Sequence, residues 1–72
     1  MHWYNADIGT WETGYLFEFQ ADSDECALSV AQHEATKTGR GVVQIRRGKR
    51  AEYGLCVFDE INGFYNILPK EE

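Results

Sequence analysis

The stretch DSDECALSVAQHEATKTGRGVVQIRR, residues 22–47, decides how this chain folds, because it reads as a helix that runs directly into a strand. Asp22 and Ser23 are both good N-cap residues, and Glu25 lies three positions after Asp22, the spacing of a capping box. Asp24 and Glu25 then stand where the positive end of the helix dipole favours acids. Ala27, Leu28, Val30, Ala31 and Ala35 recur at spacings of three and four, which makes one narrow apolar stripe, while Glu25, Gln32 and Lys37 fall mostly on the other side. Lys37 sits in the last turn and Gly39 can take the left-handed conformation that closes a helix. The spacing predicts a helix from Ser23 to Thr38. Its three alanines would let it lie close on a sheet.

The segments on either side read as strands. From Tyr15 to Ala21, residues Tyr15, Phe17, Phe19 and Ala21 alternate with Leu16, Glu18 and Gln20. Val42 to Arg47 is a β-branched run with Val43 and Ile45 on its inner face, turning at Gly48-Lys49 into a strand from Glu52 to Phe58. The turn-forming Asp59-Glu60-Ile61-Asn62-Gly63 leads to a further strand near Phe64 to Leu68, and Pro69 ends the pattern. His2-Trp3-Tyr4 and Ile8 supply a short extra N-terminal strand or a cover for the sheet. The fold class is therefore α+β: one domain over residues 1–72, in the order β-α-β-β-β with room for the extra strand. It is a mainly antiparallel sheet of three to five strands with one helix packed on one face. Phe17, Phe19, Val43, Ile45, Leu55 and Val57 would meet the helix. Leu16, Val42, Cys56 and Phe58 would then gather on the opposite face, apolar enough to need the Trp3, Tyr4 and Trp11 segment over it, or a partner or second copy.

A chain of 72 residues is small for a core; at this size only about 60% of the unfolded surface is buried on folding. Ten aromatic residues partly offset that, since each can bury about 150–250 Å². Charge is unevenly distributed. Residues 1–36 hold seven acids and no Lys or Arg, residues 37–50 hold six bases and no acid, and the remainder adds five acids and one Lys, for a net charge of -5. A basic edge on an acidic body suits an oriented electrostatic encounter better than general coating of nucleic acid. No apolar run approaches the length of a membrane-spanning helix and no basic-then-apolar leader begins the chain, so the expectation is a cytoplasmic protein that does not enter a membrane.

The residues that could carry chemistry do not assemble into a motif. Cys26 would lie in the first helical turn with His33 seven positions on, a separation of about 10 Å that is too long for a nucleophile and its base. Asp24 and Glu25 would also oppose a thiolate there. The two cysteines, Cys26 and Cys56, are too few for a disulfide framework, and a single bridge would need helix and sheet to bring them face to face. With His2 and His33 they lack zinc-site spacing, so neither metal nor other cofactor is expected. Asp59-Glu60 reads as a solvated pair. Gly39-Arg40-Gly41 follows a helix instead of preceding one and so offers a phosphate the wrong dipole end. No catalytic residue is assigned, and the expectation is a non-enzymatic protein.

Binding is the remaining class. Arg46, Arg47, Lys49 and Arg50 form a basic hairpin tip, with Arg40 at the helix exit, and are the candidate contact residues. The partner would be a protein, including one within a nucleoprotein complex. Direct nucleic-acid binding through residues 46–50 is the alternative, and a homodimer joined through Phe58, Leu16 and Val42 is a third. Tyr53 to Phe58 has a passing likeness to an RNA-recognition signature but departs from it at Ala51, Glu52, Leu55 and Cys56. In size, acidity, tryptophan-rich start and strand-helix-strands order, the chain resembles the small phage and mobile-element inhibitors of host defence, such as anti-CRISPR proteins. The resemblance is of general character across the chain. It implies stoichiometric blocking of a host nucleoprotein complex and carries over no site residues.

Overall fold

A computed structural model describes residues 1–10, 12–49 and 55–65. The elements are β1 (His2–Gly9), β2 (Gly14–Ala21), α1 (Asp24–Lys37), β3 (Gly41–Arg47), β4 (Cys56–Asp59) and β5 (Gly63–Phe64). The strands form one sheet in the order β2-β1-β3-β4-β5, every neighbouring pair antiparallel, with α1 against one face. This is the α+β arrangement that the sequence implies, extra N-terminal strand included. The N-terminal segment does not cover the sheet, however. It enters it. β1 pairs with β2 from His2 to Gly9 and with β3 from Tyr4 to Gly9. Because β2 and β3 both run antiparallel to β1, they are parallel to each other, and their connection must cross over β1; α1 makes that crossing. A strand flanked on both sides and roofed by a helix buries its alternate residues completely, as Tyr4, Ala6 and Ile8 are buried.

Local signals set the ends of the helix. Ser23, not Asp22, is the N-cap: its Oγ accepts a hydrogen bond from Cys26 N at 3.2 Å, so the position of the capping-box acid is held by Cys26. At the other end, Thr38 is the C-cap and Gly39 adopts φ 70°. Gly39 N donates to Thr36 O and Arg40 N to Ala35 O, the paired bonds of a Schellman motif. Ala27, Ala31 and Ala35 are fully buried against the sheet and Leu28 packs beside them, whereas Val30 faces out. Four-residue spacing of a methyl-sized side chain keeps one smooth line of contact, and Val30 lies off it. Below this line, Tyr4, Phe19 and Phe17 stack in series, with centroids 5.8 and 5.1 Å apart.

Two irregularities revise the assignment of faces. Asp7 lies opposite Gln44 but Ile8 opposite Val42, which leaves Val43 as an extra residue in β3. Likewise Ile45 lies opposite Phe58 but Arg46 opposite Cys56, which leaves Val57 extra in β4. A bulge shifts the side-chain alternation by one residue. Val42 and Phe58, expected on the far face, therefore pack against the core and line a shallow hollow with Gln32, Ala35 and Thr36 of α1. Val57 and Ile45 are buried as expected; Val43 is only half-buried outside the core, and Leu55, expected to meet the helix, is 58% exposed. Leu16 keeps its expected place, opposite Asp7 on the open face. Of the strands expected at Glu52–Phe58 and Phe64–Leu68, only the portions at Cys56–Asp59 and Gly63–Phe64 fall within described residues.

Candidate functional site

Adjacent residues of a strand point to opposite faces, and this separates Arg46 from Arg47. Arg47 turns toward α1, where its Nη2 donates to Asp24 Oδ2 at 2.7 Å and its Nε to Oδ1 at 3.2 Å. Tyr4 Oη donates to the same Oδ1 at 2.7 Å, and Asp24 is fully buried. Helix, first strand and third strand are thus tied at one carboxylate beside the helix N-terminus, where negative charge is favoured. Burial, reinforced by the hydrogen bond to Asp24 and by its charge, pushes the Tyr4 phenol well above its usual range. The bond to Asp24 also raises Arg47 above its ordinary value.

Arg46 turns to the open face. Its Nη2 donates to Asp7 Oδ2 and Gln44 Oε1, each at 3.0 Å, and its Nη1 to Asn5 Oδ1 at 3.0 Å. Asn5 Nδ2 continues to Gly48 O at 3.1 Å, and Gln44 Nε2 to Cys56 Sγ at 3.2 Å. Asn5, Asp7, Glu18, Gln20, Gln44 and Arg46 make this face polar; Trp3, Leu16 and Cys56 lie among them. Lys49 places its ammonium 4.8 Å from the Trp3 ring centroid. Arg40 is elsewhere, past the opposite end of α1: its guanidinium lies 5.5 Å from the Tyr15 centroid and its Nη1 donates to Thr38 O at 3.3 Å. Arg50 lies outside the described residues, as does Trp11. The structure therefore brings Arg46, Arg47 and Lys49 to one end of the molecule but sends the two arginines through opposite faces into acids. Phe58, Val42 and Leu16 do not share a surface, because the two bulges turn the first two toward the helix.

Cys26 and Cys56 are both free thiols; Cys26 packs against the core from α1, and Cys56 belongs to the open-face network. Among the described residues no group of three or more His, Cys, Asp or Glu is placed to hold a metal ion, and no helix is long and apolar enough to cross a membrane. Asp59 is not a merely solvated acid. Its carboxylate accepts from Ile61 N at 2.9 Å, Asn62 N at 2.6 Å and the Tyr65 hydroxyl, closing the turn before β5. The Tyr65 bond, followed by the Asn62 backbone bond, lowers Asp59 to about 2.

What sequence reading did not reveal is the edge of the sheet. β2 is the outermost strand on its side, and its register with β1 runs unbroken from Gly14 to Ala21. Gly48 N donates to Trp3 O at 2.7 Å, so Trp3, Asn5 and Asp7 aim their backbone groups at β3, and the alternation gives Tyr4, Ala6 and Ile8 to β2. The bond from Thr10 N to Thr13 O in the hairpin has the same parity. Tyr15, Phe17 and Phe19, opposite Ile8, Ala6 and Tyr4, therefore bond inward, and the N–H and C=O groups of the intervening residues point outward. Those of Gly14, Leu16 and Gln20 have no partner on that side among the described residues. The strand GYLFEFQA contains no Pro, Lys or Arg and carries one charge, Glu18. Edges are commonly blunted by charged residues, by Pro or by bulges; β2 has no bulge and no Pro, and Glu18 is its one charge. No protein-family model, curated protein sequence or solved structure matches the chain.

Proposed function

We propose that this is a small non-enzymatic binding module that engages a protein partner by strand addition along the outer edge of β2. The observation that carries the reading is the eight-residue, bulge-free edge with its outward backbone groups. Main-chain hydrogen bonds would supply affinity there, and the side chains of Tyr15 and Phe17, half-buried on one face, with Leu16 on the other, would supply selectivity. Stoichiometric occupation of a surface in a host nucleoprotein complex, in the cytoplasm, is the setting that fits the general resemblance to anti-CRISPR proteins. Direct nucleic-acid binding has less support, since Arg46 and Arg47 are each committed to an internal acid, and phosphate contacts would have to compete with those pairs.

The test is affinity capture of the tagged chain with nuclease present, comparing the native sequence with Leu16→Pro. Proline removes an N–H that points outward, so it is tolerated by the β1–β2 ladder while it blocks an added strand. A partner retained by the native chain and lost by a folded Leu16→Pro is the expected result. A partner retained equally by both would move the site away from β2.

A further inference from the structure

Between the C-terminal half of α1 and the β3–β4 part of the sheet lies a hollow of about 450 Å³, a volume typical of sites for small molecules. Its floor is apolar: Ala35 is buried, and Val42 and Phe58 pack half-buried against the core. Its rim is polar, with the Thr36 hydroxyl and the opposite charges of Arg40 and Glu60.

Arg40 differs from Arg46 and Arg47. Those two each hold an internal acid, whereas Arg40 makes no ion pair among the described residues. Its guanidinium lies 5.5 Å from the Tyr15 centroid and is anchored by one hydrogen bond, from Nη1 to Thr38 O at 3.3 Å. Nε is buried with no acceptor; Nη2 also has none among the described residues and is not buried. Nε and Nη2 make one edge of the guanidinium fork, the shape that takes both oxygens of a carboxylate in parallel. A buried N–H without an acceptor is costly and rare, so an anion that reaches this edge gains more than one that meets a solvated cation.

We propose that the hollow binds a small, singly charged carboxylate with an apolar body. The carboxylate engages Arg40 by way of Nη2, and the body lies on Ala35, Val42 and Phe58. A second negative charge is disfavoured, because Glu60 stands on the same lining and the chain carries a net charge of -5. The hollow is shallow, so apolar contact alone holds a ligand weakly and the charged contact decides which ligand stays. No residue of β2 lines it, and the site stands whether or not a protein adds to that edge.

The experiment is heteronuclear NMR of the intact chain at neutral pH, titrated in parallel with phenylacetate and with phenethyl alcohol, its uncharged counterpart. Saturable shifts at the Arg40 Nε–H and at the Val42 and Phe58 amides are expected with phenylacetate. The alcohol should bind at least about tenfold more weakly, for want of one charge-assisted hydrogen bond. Arg40→Gln should abolish the preference for the acid and leave the rest of the spectrum in place. Thr36→Glu sets an acid on the same rim to occupy the guanidinium, and should weaken phenylacetate in the same way without altering the residue at the helix exit. Shifts centred away from the hollow, equal affinity for acid and alcohol, or a preference for the acid that survives both substitutions would overturn the proposal.

Discussion

Arg46 and Arg47 are neighbours with the same charge, yet they do different work because the sheet has two different faces. Arg47 meets a fully buried carboxylate under the helix, at a point where Tyr4 and α1 converge. Arg46 meets Asp7 on the open face, where the two side chains are 21% and 34% exposed and water can replace either one. The Arg47 side chain is itself 25% exposed, so the difference lies in the acids: without Arg47 the fully buried Asp24 is left as an uncompensated charge, whereas the half-exposed Asp7 can turn to water. Identity of residue and spacing in sequence therefore say less here than which side of the sheet a position takes.

The sharpest way to break this comparison is to truncate each arginine. Arg47→Ala should lower unfolding stability by about 3–5 kcal/mol, because Asp24 stays buried without its cation. Urea denaturation measures it, and a loss comparable to that of Arg46→Ala would show the two faces to be equivalent. Ala31→Leu probes the same helix face through packing, and should cost about 1–3 kcal/mol because the helix would have to lift off the sheet. Arg46→Ala should cost about 0–1 kcal/mol, less at high salt; a larger loss would mean that the support given to buried Asn5 outweighs the ion pair.

Two pH titrations sharpen the comparison further. Tyr4 is raised in the fold, so its contribution is complete below its ordinary value of 10.0 and is lost as pH rises beyond it. The melting temperature should fall in that alkaline range, and Tyr4→Phe should flatten the fall. Asp59 behaves oppositely: lowered from 3.8 to about 2, it contributes fully above its ordinary value and loses that contribution as pH drops toward about 2. Being exposed, it should give the smallest effect, seen as a shallower acid limb for Asp59→Asn in the same melting series.

Much of the fold was legible because its signals are local. Ser23, the acids of the first turn, Lys37 and Gly39 act within one helical turn of the residues they cap, and the helix lies within a residue of its expected bounds at each end. The alternation of Tyr15 to Ala21 likewise gave β2, with Leu16 on the far side. Val42 and Phe58 were misassigned because each lies beyond a bulge. Alternation inverts when one strand gains a residue relative to its neighbour, and the gain at Val43 or Val57 is a property of two strands, not of either one.

By itself, then, the sequence determined the helix, its C-terminal stop, its alanine contact line, the principal strands and the uneven charge, since each follows from interactions among residues a few positions apart. Only the tertiary structure decided that β1 enters the middle of the sheet, that Val42 and Phe58 turn to the helix, that Arg46 and Arg47 find separate acids, and that β2 is left at the edge. Those outcomes depend on strand order and register, which are settled when segments distant in the chain compete for the same hydrogen bonds and the same apolar face.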